Sequence, residues 1–252
     1  MLATLLLKGY LMTGENTLLI VRPANRQAED LAMCRAAGWQ GISFSPLNIV
    51  PLPEQANALK QTLTESDALF WVSPTAVEIA QKLSGCLKTL QTPHIAVGKA
   101  TYYALKKAGA NNIHVNENGN DSEATLTLNI WQTLPERAKI GIIAGENGRS
   151  FLQQQLTERG FNVHVCTIYQ RQEIPLNWQT FQAAKPRAAW VTSSQQAQLL
   201  FAQTPTALTQ QVQTLLYFTH HERIRSTLLS CGAQNVFLVK DLQQALKLLN
   251  NQ

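Results

Sequence analysis

Six short apolar runs, at residues 18–21, 68–72, 95–97, 140–144, 188–191 and 215–219, are each followed by a polar turn and then a helical pattern of about 10 to 15 residues. That alternation predicts βαβ units, because parallel strands need a crossover between them and a helix is the usual one. The runs are solidly apolar rather than alternating, as expected of strands covered on both faces. Weaker second strands are expected at residues 42–44, 113–115, 163–168 and 236–239. The fold class is therefore α/β with largely parallel sheets.

Internal echoes turn one sheet into two. Residues 142–160 (IIAGENGRSFLQQQLTERG) repeat the pattern of 19–38 (LIVRPANRQAEDLAMCRAAG) at an offset of about 122. Residues 71–77 match 191–197 at an offset of 120, and 95–115 match 218–238 at 123. The three middle units run continuously, whereas their partners are split between the two ends of the chain. One domain is therefore expected to be inserted into the other: residues 1–47 with 172–252 as the first domain, and 48–167 as the second. The crossings fall at about 45–53, which holds three prolines, and at about 166–175. Two strand-like linkers predict a hinge with a cleft between two similar domains.

Composition narrows the class. At 252 residues the core is ample, and 45% hydrophobic content is ordinary. Charged residues make up only 15%, with 25 glutamines filling the gap. No uncharged apolar run approaches the ~20 residues needed to span a bilayer. The first twelve residues are apolar but have no basic segment before the leucine run, so the expected location is cytoplasmic. Residues 1–16 are expected to be an extension, or translation begins at Met12. Cys34, Cys86, Cys166 and Cys231 have no CxxC spacing and read as reduced and structural. An excess of 21 basic over 16 acidic residues points to an anionic partner.

In open α/β sheets, ligands sit beyond the carboxyl ends of the strands, where helix N-termini offer free N–H groups. The loops there carry Arg22 and Arg26; Ser73 and Thr75; Lys99 and Thr101; Gly145 and Arg149; Thr192 and Ser193; Thr219 and Arg223. Asp121 and Ser122 mark one more helix start. Taken singly, Ser73, Thr101, Asp121 and Ser193 read equally as N-caps, and the cations as a solvated surface. Taken together, they make a site for a polyanion held by backbone amides and arginine. Tyr169, in the second linker, is the tyrosine placed for proton donation. Trp71 and Trp190 stand at matching strand ends and read as core. Gly145-x-x-Gly148 lacks the rest of a dinucleotide fingerprint, and no GxxxxGK[ST] occurs, so no nucleotide cofactor is expected. His220 and His221 lack a third ligand at metal spacing, so no metal is expected either.

At these residues the chain resembles the uroporphyrinogen-III synthase family. The matching stretches are LLIVRP (18–23), FWVSPTAVEIA (70–80), IAVGKATYYALKKAG (95–109), DSEATL (121–126), IIAGENGRSFLQQQLTERG (142–160), VHVCTIYQR (163–171), VTSS (191–194) and FTHHERI (218–224). Each motif is loose; their order and spacing carry the resemblance. It departs from the family at Val21, where a threonine is frequent, at Thr75, which can be basic, and at Ser194-Gln195. The resemblance implies two α/β domains, a monomer, no metal and no organic cofactor. Its substrate is the polycarboxylate tetrapyrrole hydroxymethylbilane, closed to uroporphyrinogen III with its last ring inverted. It also implies transient contact with hydroxymethylbilane synthase, and a role for Tyr169 in assisting hydroxide departure. Two rivals make other predictions. A cleft-type binding protein for an anionic small molecule would bind without turnover. A nucleic-acid binder would need clustered Lys and Arg, which are dispersed here among only 7% aromatics.

Overall fold

The computed structural model describes residues 16–251 apart from 86, 118, 120, 121, 147, 149 and 150, and of Ser122 the backbone alone. The expected N-terminal extension, up to residue 15, and Cys86, Asp121 and Arg149 thus lie outside the described residues. Eleven strands are described: β1 (Thr17–Val21), β2 (Gln40–Ser43), β3 (Leu47–Pro51), β4 (Ala68–Trp71), β5 (His94–Ala96), β6 (Ile113–Val115), β7 (Lys139–Gly145), β8 (Asn162–Glu173), β9 (Ala188–Val191), β10 (Leu216–Thr219) and β11 (Asn235–Leu238). They form a five-stranded sheet in the order β11-β10-β9-β1-β2 and a six-stranded sheet in the order β3-β8-β7-β4-β5-β6. The chain divides into two compact units: residues 1–49 with 172–252, and residues 50–171.

The five strands of unit 1 are all parallel. Their order, numbered within the unit, is 2-1-3-4-5, that of flavodoxin-like sheets. Unit 2 repeats it, with β7, β8, β4, β5 and β6 in the places of β1, β2, β9, β10 and β11, and its five corresponding strands are again parallel. The chain enters this second sheet at its third strand, which is how a duplicated unit looks when it has been inserted into its sibling. The extra strand, β3, is antiparallel to β8: Leu52 N–H donates to Ile168 O and Ile174 N–H to Pro46 O, each at 2.9 Å, so numbers rise along one strand as they fall along the other.

Burial explains the solid apolar runs. All five residues of β1 are buried, yet they serve opposite faces. Leu19 and Val21 join Ala189, Val191 and Tyr217 on one side of the sheet. Leu18 and Ile20 join Trp190, Phe218 and Leu246 on the other. In unit 2, Phe70, Ile95, Ile140 and Ile142 form the equivalent core with Leu152 and Leu156 of the helix Phe151–Glu158. With both faces covered, only the strand ends remain for a ligand. The winding reverses between β1 and β9 in unit 1 and between β7 and β4 in unit 2, the points at whose carboxyl ends sheets of this kind bind ligands. No helix among the described residues is long and apolar enough to cross a membrane.

Unit 2 buries a histidine away from those ends. His94 is fully buried; its Nδ1 accepts from Trp71 Nε1 at 3.0 Å, and its Nε2 finds no partner among the described residues. Burial lowers its pKa from 6.5 to about 4. The unfolded chain therefore binds a proton here between pH 6.5 and 4 that the folded chain refuses, and stability falls as pH falls through that window. We expect about 2 kcal/mol to be lost through this histidine between pH 7 and 5, measured by urea unfolding. His94→Gln keeps an acceptor for Trp71 and does not titrate, so its stability should fall less over the same range by that amount. Parallel curves for the two proteins would refute the assignment.

Candidate functional site

The carboxyl end of the unit 2 sheet gathers three of the residues singled out in the sequence. Leu69 pairs with Gly141 and Trp71 with Ile143, so two residues further on Ser73 and Gly145 share the same face of the sheet. Ser73 has extended backbone (φ −168°, ψ 160°), and its Oγ accepts from Ala76 N–H at 3.1 Å, capping the helix Pro74–Ser84. Pro74 takes the first helical position, where a missing N–H costs nothing. From the other side of Gly145, Tyr169 reaches across on β8. The register slips between Ala144, paired with Thr167, and Gly145, paired with Tyr169. Ile168 is the extra residue of this β-bulge, and such a bulge re-aims the side chain that follows it.

Tyr169 lies over Gly145 because Gly145 has no side chain. A Cβ there would overlap Cε2 and Cζ of the ring and come within 2.8 Å of Cδ2. The phenol oxygen is 3.3 Å from Ser73 Oγ. Tyr169 O accepts from Glu146 N–H at 2.7 Å, and Arg171 Nη1 donates to Glu146 O at 3.1 Å. The Arg171 guanidinium stands 5.6 Å from the centre of the tyrosine ring, within cation–π range. Tyr169 is only 1% exposed. Thr75, in the first turn of the helix Pro74–Ser84, is half-buried.

The corresponding end of the unit 1 sheet is built from different chemistry. Ser193 caps the helix Ser194–Ala202 through Gln196 N–H at 3.2 Å, and Thr192 beside it is half-buried. Arg22 Nη1 donates to Asp30 Oδ2 at 2.8 Å; the Asp30 side chain is 4% exposed and that of Arg22 27%. Gln27 donates through Nε2 to Arg22 O, tying down the same turn. His221 caps the helix Glu222–Ser230, its Nδ1 accepting from Arg223 N–H at 3.1 Å, while Arg223 itself is exposed. Three buried polar atoms here find no partner among the described residues: Trp190 Nε1, Gln196 Oε1 and Thr219 Oγ1.

The remaining sequence candidates are scattered. Thr101 is not a helix cap, as its sequence position allowed; Gly98 is the cap of the helix Lys99–Lys107, and Thr101 is buried inside it at 1% exposure. Lys99 is exposed at that helix start, and Arg26 is half-buried at the end of a short turn. Ser122 opens the four-residue helix Ser122–Thr125, and Arg149 lies outside the described residues. Trp71 is fully buried and Trp190 is 4% exposed. Among the described residues no three His, Cys, Asp or Glu side chains come together. Sequence reasoning passed over Arg171 as a contact of Tyr169, Asp30 as the partner of Arg22, and His221 as a cap. Only the last carried a signal, its place just before Glu222 at a helix start.

Comparison with known proteins adds the family. The family model described as HEM4, uroporphyrinogen-III synthase HemD, matches residues 28–240. The uroporphyrinogen-III synthase of Salmonella typhimurium strain LT2 is 28% identical over 249 residues, covering 93% of this chain and 95% of that protein. That of Escherichia coli K12 is 29% identical over 202 residues, covering 75% and 80%. Among solved structures, a mutant uroporphyrinogen III synthase from the extremely thermophilic bacterium Thermus thermophilus superposes with a TM-score of 0.60 at 18% identity, covering 93% of this chain and 97% of that one. The uroporphyrinogen-III synthetase of Helicobacter pylori 26695 gives 0.62 at 15%, covering 94% and 99%. These two are likenesses of fold.

The Arg22–Asp30 pair makes Arg22 a stability residue whatever else it does. Removing the guanidinium leaves a carboxylate buried without its counter-charge, a loss moderated by the part of Arg22 that is already in water. Arg22→Ala should lower unfolding stability by about 2 kcal/mol in urea titrations, and adding Asp30→Asn should recover at least half. If the single variant is as stable as the parent, the pair contributes nothing to the fold.

Proposed function

This chain belongs to the uroporphyrinogen-III synthase HemD family, and from that premise we propose that it closes hydroxymethylbilane to uroporphyrinogen III, losing water and inverting the last ring. The observation that carries the reading is the family match over residues 28–240, which takes in every strand from β2 to β11 and the helix starts at their carboxyl ends. A polycarboxylate suits such ends, since each helix start offers backbone N–H groups and partial positive charge. The excess of basic over acidic residues suits it too.

In this reading the chemistry resides in the substrate. Loss of the terminal hydroxyl leaves an azafulvene cation. The substituted carbon of the last ring attacks it to give a spiro intermediate, and fragmentation with re-closure inverts the ring. The protein must bring the substituted carbon, rather than the free one, to the cation and keep water away. We assign assistance of hydroxide departure to Tyr169 as a neutral donor. The carboxylates we assign to Arg22, Arg26, Thr75, Lys99, Ser122, Gly145, Arg149, Thr192, Ser193, Thr219 and Arg223, with Gly145 contributing backbone alone; Ser73 we place at the reacting end beside Tyr169, and Thr101, buried inside its helix, drops out as a ligand. The unpartnered Trp190 Nε1 and Thr219 Oγ1 support this, because buried polar atoms left over by the fold are ready for a ligand. We further infer a cytoplasmic monomer that takes its unstable substrate from hydroxymethylbilane synthase by transient contact.

The test is to add the protein to freshly generated hydroxymethylbilane, oxidise the product and separate the porphyrin isomers. Spontaneous closure gives isomer I, so a protein-dependent switch to isomer III is the expected result. Isomer I alone, from folded protein and fresh substrate, overturns the reading and leaves a binding protein for an anionic small molecule.

A further inference from the structure

Tyr169 and Ser73 are not equivalent partners. Tyr169 is 1% exposed and its oxygen is engaged inside unit 2, whereas Ser73 is half-buried at the strand end. A hydroxyl has one proton to donate and two lone pairs to accept with. Ser73 Oγ already accepts from Ala76 N–H, and the second group within reach is the phenol at 3.3 Å. Either oxygen can donate across that contact; a phenol is a stronger acid than an aliphatic alcohol, so we take the tyrosine to donate and the serine to accept. Both lone pairs of Ser73 Oγ are then filled, and its own proton is directed away from both partners. It is polarised by the phenol behind it and by the start of an eleven-residue helix.

Resting on the function proposed above, we propose that Ser73 is the hydroxyl that touches the departing oxygen, and that Tyr169 is the positioning residue and proton reserve behind it. Gly145 and Arg171 hold the phenol in line. Gly145 supplies the slot that the ring fills, and Arg171 covers the ring while bound to Glu146 O. The step balances without any outside reagent. The carbon–oxygen bond of the hydroxymethyl group breaks with its electron pair going to oxygen. That oxygen takes the Ser73 proton and leaves as water, and Ser73 Oγ takes the Tyr169 proton. The tyrosinate is reprotonated at the end, when the last ring re-forms its aromatic system by losing the proton from its newly bonded carbon. While the negative charge exists, the Arg171 guanidinium stands 5.6 Å from the centre of the ring that carries it.

Four variants test this with the full chain and hydroxymethylbilane as substrate. Ser73→Asn keeps a good N-cap for the helix but has no hydroxyl proton, so kcat should fall by about 10²-fold or more with the melting temperature and KM little changed. Ser73→Thr restores cap and hydroxyl together, and should recover turnover to within a few-fold of the parent. Because one proton passes through both groups, Ser73→Asn combined with Tyr169→Phe should be no slower than Ser73→Asn alone. Arg171→Gln, an exposed change that spares the fold, should lower kcat about two- to five-fold at constant KM. A Ser73→Asn protein with parental kcat overturns the proposal, as does a double variant whose losses multiply. Either result leaves the synthase reading standing provided the parent makes isomer III; a parent that makes only isomer I removes both.

Discussion

A parallel sheet sheathed by helices on both faces leaves chemistry nowhere to go but its ends. That constraint governs this molecule twice over. In unit 1 the five residues of β1 are buried to alternate sides, and in unit 2 the central strands β4 and β7 are buried in the same way. Strand interiors are thereby committed to packing. The groups free to act are those one or two residues past the last paired residue: Ser73 past Trp71, Thr192 and Ser193 past Val191, His220 and His221 past Thr219. Each sits where a helix begins, so backbone N–H groups and a partial positive charge come with the position.

Within that frame, the most specific arrangement depends on something missing. The Tyr169 ring occupies the volume that any side chain at Gly145 would need. The bulge at Ile168 turns the tyrosine onto the β7 side of its strand; an unbroken register would pair Ile168 with Gly145 instead. A glycine and one extra residue in a strand are what let β8 deliver a phenol to the cap of the helix after β4. Arg171, two residues further along β8, covers the ring from outside.

The repeat was legible in the sequence because a βα unit advertises itself at every level. Apolar runs, helical periodicity and the glycine after the helix all recur, and the strand order in the two sheets matches what three shared offsets imply. The role of Ser73 as a cap was legible for the same local reason, a small hydroxyl before proline at a helix start. Contacts made at a distance were not. Nothing near Gly145 in sequence distinguishes a glycine that admits a ring from one that merely turns the chain, since the ring comes from 24 residues further on. Nor did anything near Arg22, a candidate ligand for anions, mark it as the partner of Asp30 in the first turn of the helix Ala28–Ala36. Thr101 looked like a cap because threonine suits one; the chain caps that helix three residues earlier at Gly98 and buries the threonine.

The two strand-end sites therefore share a frame and differ in chemistry. At the unit 1 end the arginine is neutralised by a buried carboxylate, and the caps are a serine and a histidine. Three buried polar atoms remain without partners among the described residues there, an indole N–H, an amide oxygen and a threonine hydroxyl. Such atoms cost stability unless something satisfies them, and they include both a donor and an acceptor. The unit 2 end has the opposite character: its hydroxyls are already bonded to one another, to a helix N–H and, through the ring, to a guanidinium. A pre-bonded pair of hydroxyls does not need a ligand to be stable and gains nothing as a passive anchor. In the reading proposed above, its advantage lies in moving a proton along a path that is set before the substrate arrives.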